Sequence, residues 1–177
     1  MRYSLPARLM HWLMALAFLF MWVSGFALNY IVEDETPMED FFRGTHVSMG
    51  VLVTALLVLR IVVRLTHRAP PLPAEIRGLE RKAAHWGHAA LYLLPAAVVA
   101  LGWAQVNIGD HDVEWFGTKL PRVFPTAEAW EDFTEGAHMW MAYAMLAFAL
   151  GHVAAALKHR YLDGHDVFYR MTFGRAP

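Results

Sequence analysis

The sequence predicts an all-α protein, an integral membrane four-helix bundle with both termini in the cytoplasm, and three observations carry that reading. Hydrophobic residues make up 57% of the 177 and charged residues 18%, against roughly 45–50% and about 25% in soluble domains, and mean hydropathy is +0.31. The charges leave four windows untouched, 11–31, 44–59, 83–106 and 136–157, each near the roughly 20 residues of helix that cross a hydrocarbon core. The charges between those windows are sorted by sign. A single such window would read equally well as the buried core helix of a soluble enzyme, but four in this length leave too little polar surface to cover a soluble globule.

Each element follows in order. The first span, 11–31, comes after a basic start with Arg2 and Arg8, a pattern shared with cleaved signals. The apolar run is longer than a signal's 7–15 residues, carries His11 at its mouth, and its removal would spoil the charge alternation. The second span is short unless it continues through Arg60 and Arg64, whose stems can snorkel to the headgroups, giving 44–65. Pro70-Pro71-Leu72-Pro73 is a stiff extended connector, and spans three and four cover 83–106 and 136–157. Pro125-Thr126-Ala127-Glu128 predicts a short surface helix leading into the fourth, with Trp115, Phe116 and Trp130 as interface anchors. No repeat or low-complexity tract divides the chain, so 1–177 reads as a single membrane domain in contact with lipid.

Orientation follows from the Lys/Arg bias of short loops. Arg2 and Arg8 precede the first span; the segment 60–82, from the inner end of the second span to the third, carries Arg60, Arg64, Arg68, Arg77, Arg81 and Lys82 against Glu75 and Glu80; Lys158, Arg160, Arg170 and Arg175 follow the fourth. The other two connections are acidic, with Glu33, Asp34, Glu35, Glu39 and Asp40 in one and Asp110, Asp112, Glu114, Glu128, Glu131, Asp132 and Glu135 in the other. The basic segments, and both termini, therefore face the cytoplasm. A net charge of -1 provides no footprint for nucleic acid. Zero cysteines exclude disulfides, iron–sulfur clusters, thiolate zinc and thiol nucleophiles.

The chemistry must then rest on histidine, of which there are ten. His11 and His152 fall at the cytoplasmic depth, His46 and His138 at the outer depth, and imidazole inside a membrane normally faces the bundle with a role to perform. His138 and His152 are about 40° short of four full turns apart, hence on nearly one face, and about 21 Å apart along the axis. Two flat groups can stack along that face, where Ala142, Met145 and Ala149 allow close approach. The depths pair His11 with His152 and His46 with His138 as axial ligands of two haem irons. An iron so ligated has no open position and relays electrons. Satisfied core histidines or a proton path explain any one of the four, but not four at matched depths; a divalent-metal transporter would want carboxylates in the membrane.

The same 14-residue step from His11 reaches Gly25, a bare backbone surface at the outer level, and from His46 reaches Arg60, suited either to a haem propionate or to ordinary snorkelling. His85 and His88 can share a face at the start of the third span and line a quinone pocket, or serve as interfacial structural residues. His67, His111, His159 and His165 fall in loops or tails. Lys119 and Arg122 offer either an attraction for an anionic reductant or a solvated loop.

These fragments together resemble the bacterial cytochrome b561 family, related to the b-type cytochrome subunits of nickel–iron hydrogenases. The resemblance rests on Met10-His11-Trp12-Leu13, Gly44-Thr45-His46-Val47-Ser48-Met49-Gly50, Arg60 with Arg64-Leu65, Ala84-His85-Trp86-Gly87-His88, and the His138 and His152 pair with Ala154-Ala155-Ala156-Leu157, and covers residues 1 to about 162. It implies a multi-pass protein of the bacterial inner membrane with two haem b, exchanging electrons with ubiquinone or another quinone. It also implies either an oxidoreductase activity, oxidation of periplasmic superoxide with reduction of quinone, or pure electron carriage. The alternative is a membrane-anchor subunit relaying electrons for a separate dehydrogenase or hydrogenase.

Overall fold

The computed structural model describes residues 2–164 and 167–174; His165 lies outside them. Four long helices dominate: α1 (Leu5–Tyr30), α2 (Pro37–Thr66), α3 (Gly78–Ile108) and α4 (Glu131–Tyr161). All four are long and apolar enough to cross a membrane. α2, α3 and α4 extend past their charge-free windows at both ends and α1 at its start, because polar and charged residues there continue the helix into the headgroup region; α2 carries Arg60 and Arg64 within it and ends at Thr66.

Local chemistry sets the ends. Pro6 is pre-organised for the first turn of α1. Thr36 caps α2 by accepting from the Glu39 N–H at 3.2 Å, and Pro37 follows it. Glu39 in turn accepts from the Glu35 N–H at 2.7 Å. Acidic side chains occupy the first turns of α2 and α4, and Lys158, His159 and Arg160 the last turn of α4, each matching the helix dipole. The expected surface helix before α4 is a single 3-10 turn, Glu128–Trp130, continuous with α4.

The packing is that of a protein whose solvent is lipid. Leu16, Leu93 and Leu150 are 65%, 70% and 61% exposed in mid-helix, while Ser24, Ser48 and Asn107 are buried, as expected where hydrocarbon covers the outside and polar groups find partners within. α1 packs on α2, α3 on α4, and α2 on α3. The chain thus forms two helical hairpins, joined across their open side by contacts such as the Tyr143 hydroxyl donating to that of Tyr30 at 3.0 Å. An apolar cluster of Met10, Met14 and Leu57 seals α1 against α2.

The two ends differ. At the acidic end a two-stranded hairpin, β1 (Glu114–Trp115) and β2 (Thr118–Lys119), turns through Phe116 and Gly117, both at positive φ. Ser48 anchors it: its Oγ accepts from the Phe116 N–H at 2.9 Å and donates to the Glu114 carbonyl at 3.3 Å. Asn107, fully buried, accepts from the Val123 and Phe124 N–H groups and donates to the His111 carbonyl. Trp115, Phe116 and Trp130 remain 47%, 66% and 58% exposed, free to lie in a membrane interface. At the basic end, the segment after α4 folds back under α1. The Tyr3 N–H, the Arg8 guanidinium and the Trp12 indole donate to the Arg170, Thr172 and Met171 carbonyls.

Candidate functional site: two histidine pairs between the hairpins

α4 supplies one histidine at each end, and the opposite hairpin supplies its partner. The rings of His46 and His138 stand 6.3 Å apart between centroids, with planes crossed at 85°. Those of His11 and His152 stand 6.2 Å apart, crossed at 62°. Both pairs expected from depth alone are brought together. A metal–imidazole bond of about 2.0–2.1 Å plus a ring radius of about 1.1 Å puts two imidazoles on opposite sides of one metal about 6.3 Å apart. Hydrogen-bonded or stacked rings would sit closer. The donor set is right for a haem iron, and Met145, on the stripe between His138 and His152, is buried. Among the described residues no cluster of three or more His, Asp or Glu is built to hold a free metal ion.

The acidic-end pair is held in a defined tautomer. His138 Nδ1 lies 3.0 Å from the Val98 carbonyl, which can only accept, so Nδ1 carries the proton and Nε2 is left as a lone pair. Ser24 Oγ donates to the Met21 carbonyl at 3.1 Å, and so accepts from His46 Nδ1 at 2.8 Å. This is the arrangement that orients metal-ligating histidines. Two glycines make it possible. A Cβ on Gly102 would stand 3.1 Å from His138 Cε1, and one on Gly25 would stand 3.3 Å from His46 Cε1. The expectation for Gly25 therefore changes: the room it leaves is taken by the His46 ring. Ser24, Val98 and Gly102 were missed in the sequence. The spacing to Gly25 pointed at the right level of α1, whereas nothing periodic marks a carbonyl on α3.

The basic-end pair has different company. His88 on α3 stands 5.6 Å from His152, edge-on at 66°, so three imidazoles gather there. Trp12 packs edge-on against His11 at 5.3 Å. Arg60 holds its guanidinium 5.2 Å over the Tyr92 ring, near enough to interact with His11, His88 and His152. The predicted level of Arg60 agrees with this placement. His85 is exposed and packs on Trp86. His159, expected in a tail, lies instead in the last turn of α4 with its Nδ1 2.7 Å from Asp163. Seven residues after His152, it is about 20° short of two turns along the same face.

Lys119 and Arg122 are not free to attract an anion. Arg122 binds Asp110 and Asp112 at 2.7 Å each, and Lys119 binds Asp112 at 3.0 Å. Hydrogen bonds from Arg122 hold both carboxyls below the usual range.

The sequence profile of the prokaryotic cytochrome b561 family matches residues 2–174. Cytochrome b561 homolog 2 of Escherichia coli (strain K12) is 30% identical over 175 residues, covering 96% of this chain and 90% of the relative. The probable superoxide oxidase CybB of Yersinia pestis is 26% identical over 162 residues, with 91% and 90% covered. Cytochrome b561 homolog 1 of Escherichia coli (strain K12) is 24% identical over 171 residues, with 96% of each covered.

Proposed function

This chain belongs to the prokaryotic cytochrome b561 family, a haem b-binding, electron-transporting group of multi-pass membrane proteins, and from that premise we propose that it carries two haem b and moves electrons across the bacterial inner membrane between a periplasmic donor and a membrane quinone. His46 and His138 hold the outer haem; His11 and His152 hold the inner one. The observation that carries this reading is the ring separation, 6.3 Å and 6.2 Å, which suits one metal between each pair. When bound, each haem supplies a one-electron iron couple closed to other ligands.

The chain's own residues do the rest. Ser24 and the Val98 carbonyl take the Nδ1 protons of His46 and His138 and keep both Nε2 lone pairs available. Arg60, fixed over Tyr92, offers a guanidinium to a propionate at the inner level. A quinone headgroup binds at the inner end, where His88, His85 and the His159–Asp163 pair offer hydrogen bonds to its carbonyl oxygens and can hold its protons. The Lys/Arg bias of the basic segments supports a cytoplasmic position for that end. Superoxide is the proposed donor. The name of the Yersinia pestis relative supports it, and a one-electron relay suits a one-electron reductant.

The test is direct. Purified protein should hold two haems per chain and be reduced by superoxide, which is released as dioxygen, and added ubiquinone should then take two such electrons and two protons to become ubiquinol. A colourless protein would sink the whole reading. A two-haem protein reduced by quinol but not by superoxide would leave the haems and remove the donor.

A further inference from the structure

α3 contributes no member of either ligand pair, yet it lies against both α4 ligands. Behind His138 it presents the Val98 carbonyl and the bare backbone of Gly102. Beside His152, on the same helix and nearly the same face, it presents the His88 imidazole. We propose that His88 is the positioning residue of the inner ligand His152, taking the part that the Val98 carbonyl takes for His138. This rests on the reading of His11 and His152 as inner haem ligands and goes beyond it.

Ring separation decides between the two things an imidazole can do there. An N–H···N hydrogen bond of about 2.9 Å plus two ring radii of about 1.1 Å each puts hydrogen-bonded imidazoles about 5.1 Å apart. A shared metal puts them about 6.3 Å apart. The His88–His152 separation of 5.6 Å, with planes crossed at 66°, is about 0.5 Å beyond the first and about 0.7 Å short of the second, so it lies nearer the hydrogen-bonded value. The His11–His152 distance, 6.2 Å, already matches a metal-bridged pair, which leaves His88 the part of a neighbour to His152 and not of a further iron ligand. Tyr92, one turn beyond His88, carries the Arg60 guanidinium, which keeps this face of α3 against the inner site. Each α4 ligand thus has a polar group of α3 beside it, a main-chain carbonyl outside and an imidazole inside, and only the inner one can be removed by substitution.

A partner of this kind fixes the ring's rotation about the metal bond and raises the basicity of the ligand, which favours ferric over ferrous iron. The experiment uses full-length, quinone-free protein, with haem per chain, a redox titration and low-temperature EPR of the ferric haems. His88→Ala should keep two haems and lower the ferric-to-ferrous stability ratio of the inner haem about tenfold, an upward shift of about 59 mV for a one-electron couple, with an altered inner-haem EPR anisotropy. The outer haem should not move. His88→Gln, which can still hydrogen-bond, should recover most of the shift. An unchanged inner potential and spectrum in His88→Ala, or equal shifts of both haems, would overturn the inference. If His88→Ala loses the inner haem, His88→Gln decides: recovery upholds positioning, and loss in both variants makes His88 a packing residue. A role confined to quinone contact would change quinol kinetics and leave the quinone-free potentials alone. Failure of the underlying ligand assignment is recognised separately, by a wild-type protein with fewer than two haems or by a His152→Ala variant that keeps both.

Discussion

The outer and inner histidine pairs have nearly the same ring separation and quite different surroundings. The outer rings are gripped by what cannot titrate: a serine hydroxyl, a main-chain carbonyl, and the backbone of two glycines pressed against the imidazole edges. The inner rings are surrounded by side chains that can carry charge or donate hydrogen bonds, with His88, Arg60 over Tyr92, and Trp12 tied to the tail. A rigid outer site suits a relay that meets its donor and must not reorganise. An inner site rich in imidazole suits exchange with a quinone, whose reduction consumes protons. In this bundle the ligand geometry is duplicated and the chemistry around it is not.

That contrast can be broken in several places, taken from the largest expected effect to the smallest. His138→Ala should take the protein from two haems per chain to one, as measured by the pyridine haemochrome, and His11→Ala should do the same at the other end; loss of both haems in either variant would mean the pairs are not independent. Ser24→Ala removes the acceptor of His46 Nδ1, and haem retention at the outer site should fall by about 10–100-fold, seen as preferential loss of that haem during dilution into apo-myoglobin. Gly102→Ala pushes a methyl to 3.1 Å from His138 Cε1, so the ring must yield by a few tenths of an ångström. The outer EPR signal should change shape while the inner one stays, and Gly25→Ala, with its contact at 3.3 Å, should do less.

The smallest effect is expected from acid. Arg122 depresses the Asp110 and Asp112 carboxyls, so their contribution to loop order is complete above the unfolded value near 3.8 and is lost as pH falls through the lower folded values. Hydrogen exchange over 110–126 should therefore be flat from pH 8 to 5, after correction for the intrinsic rate, and rise only below about pH 4. Because the carboxylates are exposed, the gain is modest; an onset near neutral pH would show that another group holds the loop.

Much of the arrangement was legible before any coordinates. The four windows are the four helices, because a hydrocarbon slab admits apolar helix and little else. The second span runs through Arg60 and Arg64 as long stems allow. The histidine pairs were readable because a straight helix converts spacing into depth and angle, so His138 and His152 mark both levels on α4. Less was legible where the decisive atom has no side-chain signature. The Val98 carbonyl is one of many, and Gly102 looks like any small residue of a membrane helix. Lys119 and Arg122 read as free cations because their partners, Asp110 and Asp112, are reached only by the fold of the loop. His159 looked like part of a tail because the charges around it mask the last turn of α4.

The sequence by itself determined the class of protein, the number of spans, the levels of the four histidines and the absence of any thiol chemistry, all consequences of composition and of a helical period that needs no neighbour. The tertiary structure alone decided how far apart facing rings stand, which nitrogen of His46 and His138 carries the proton, and which groups back each ligand. Those depend on the distance between two helical hairpins and on the rotation of each helix within them, quantities set by packing across the bundle that no single helix encodes.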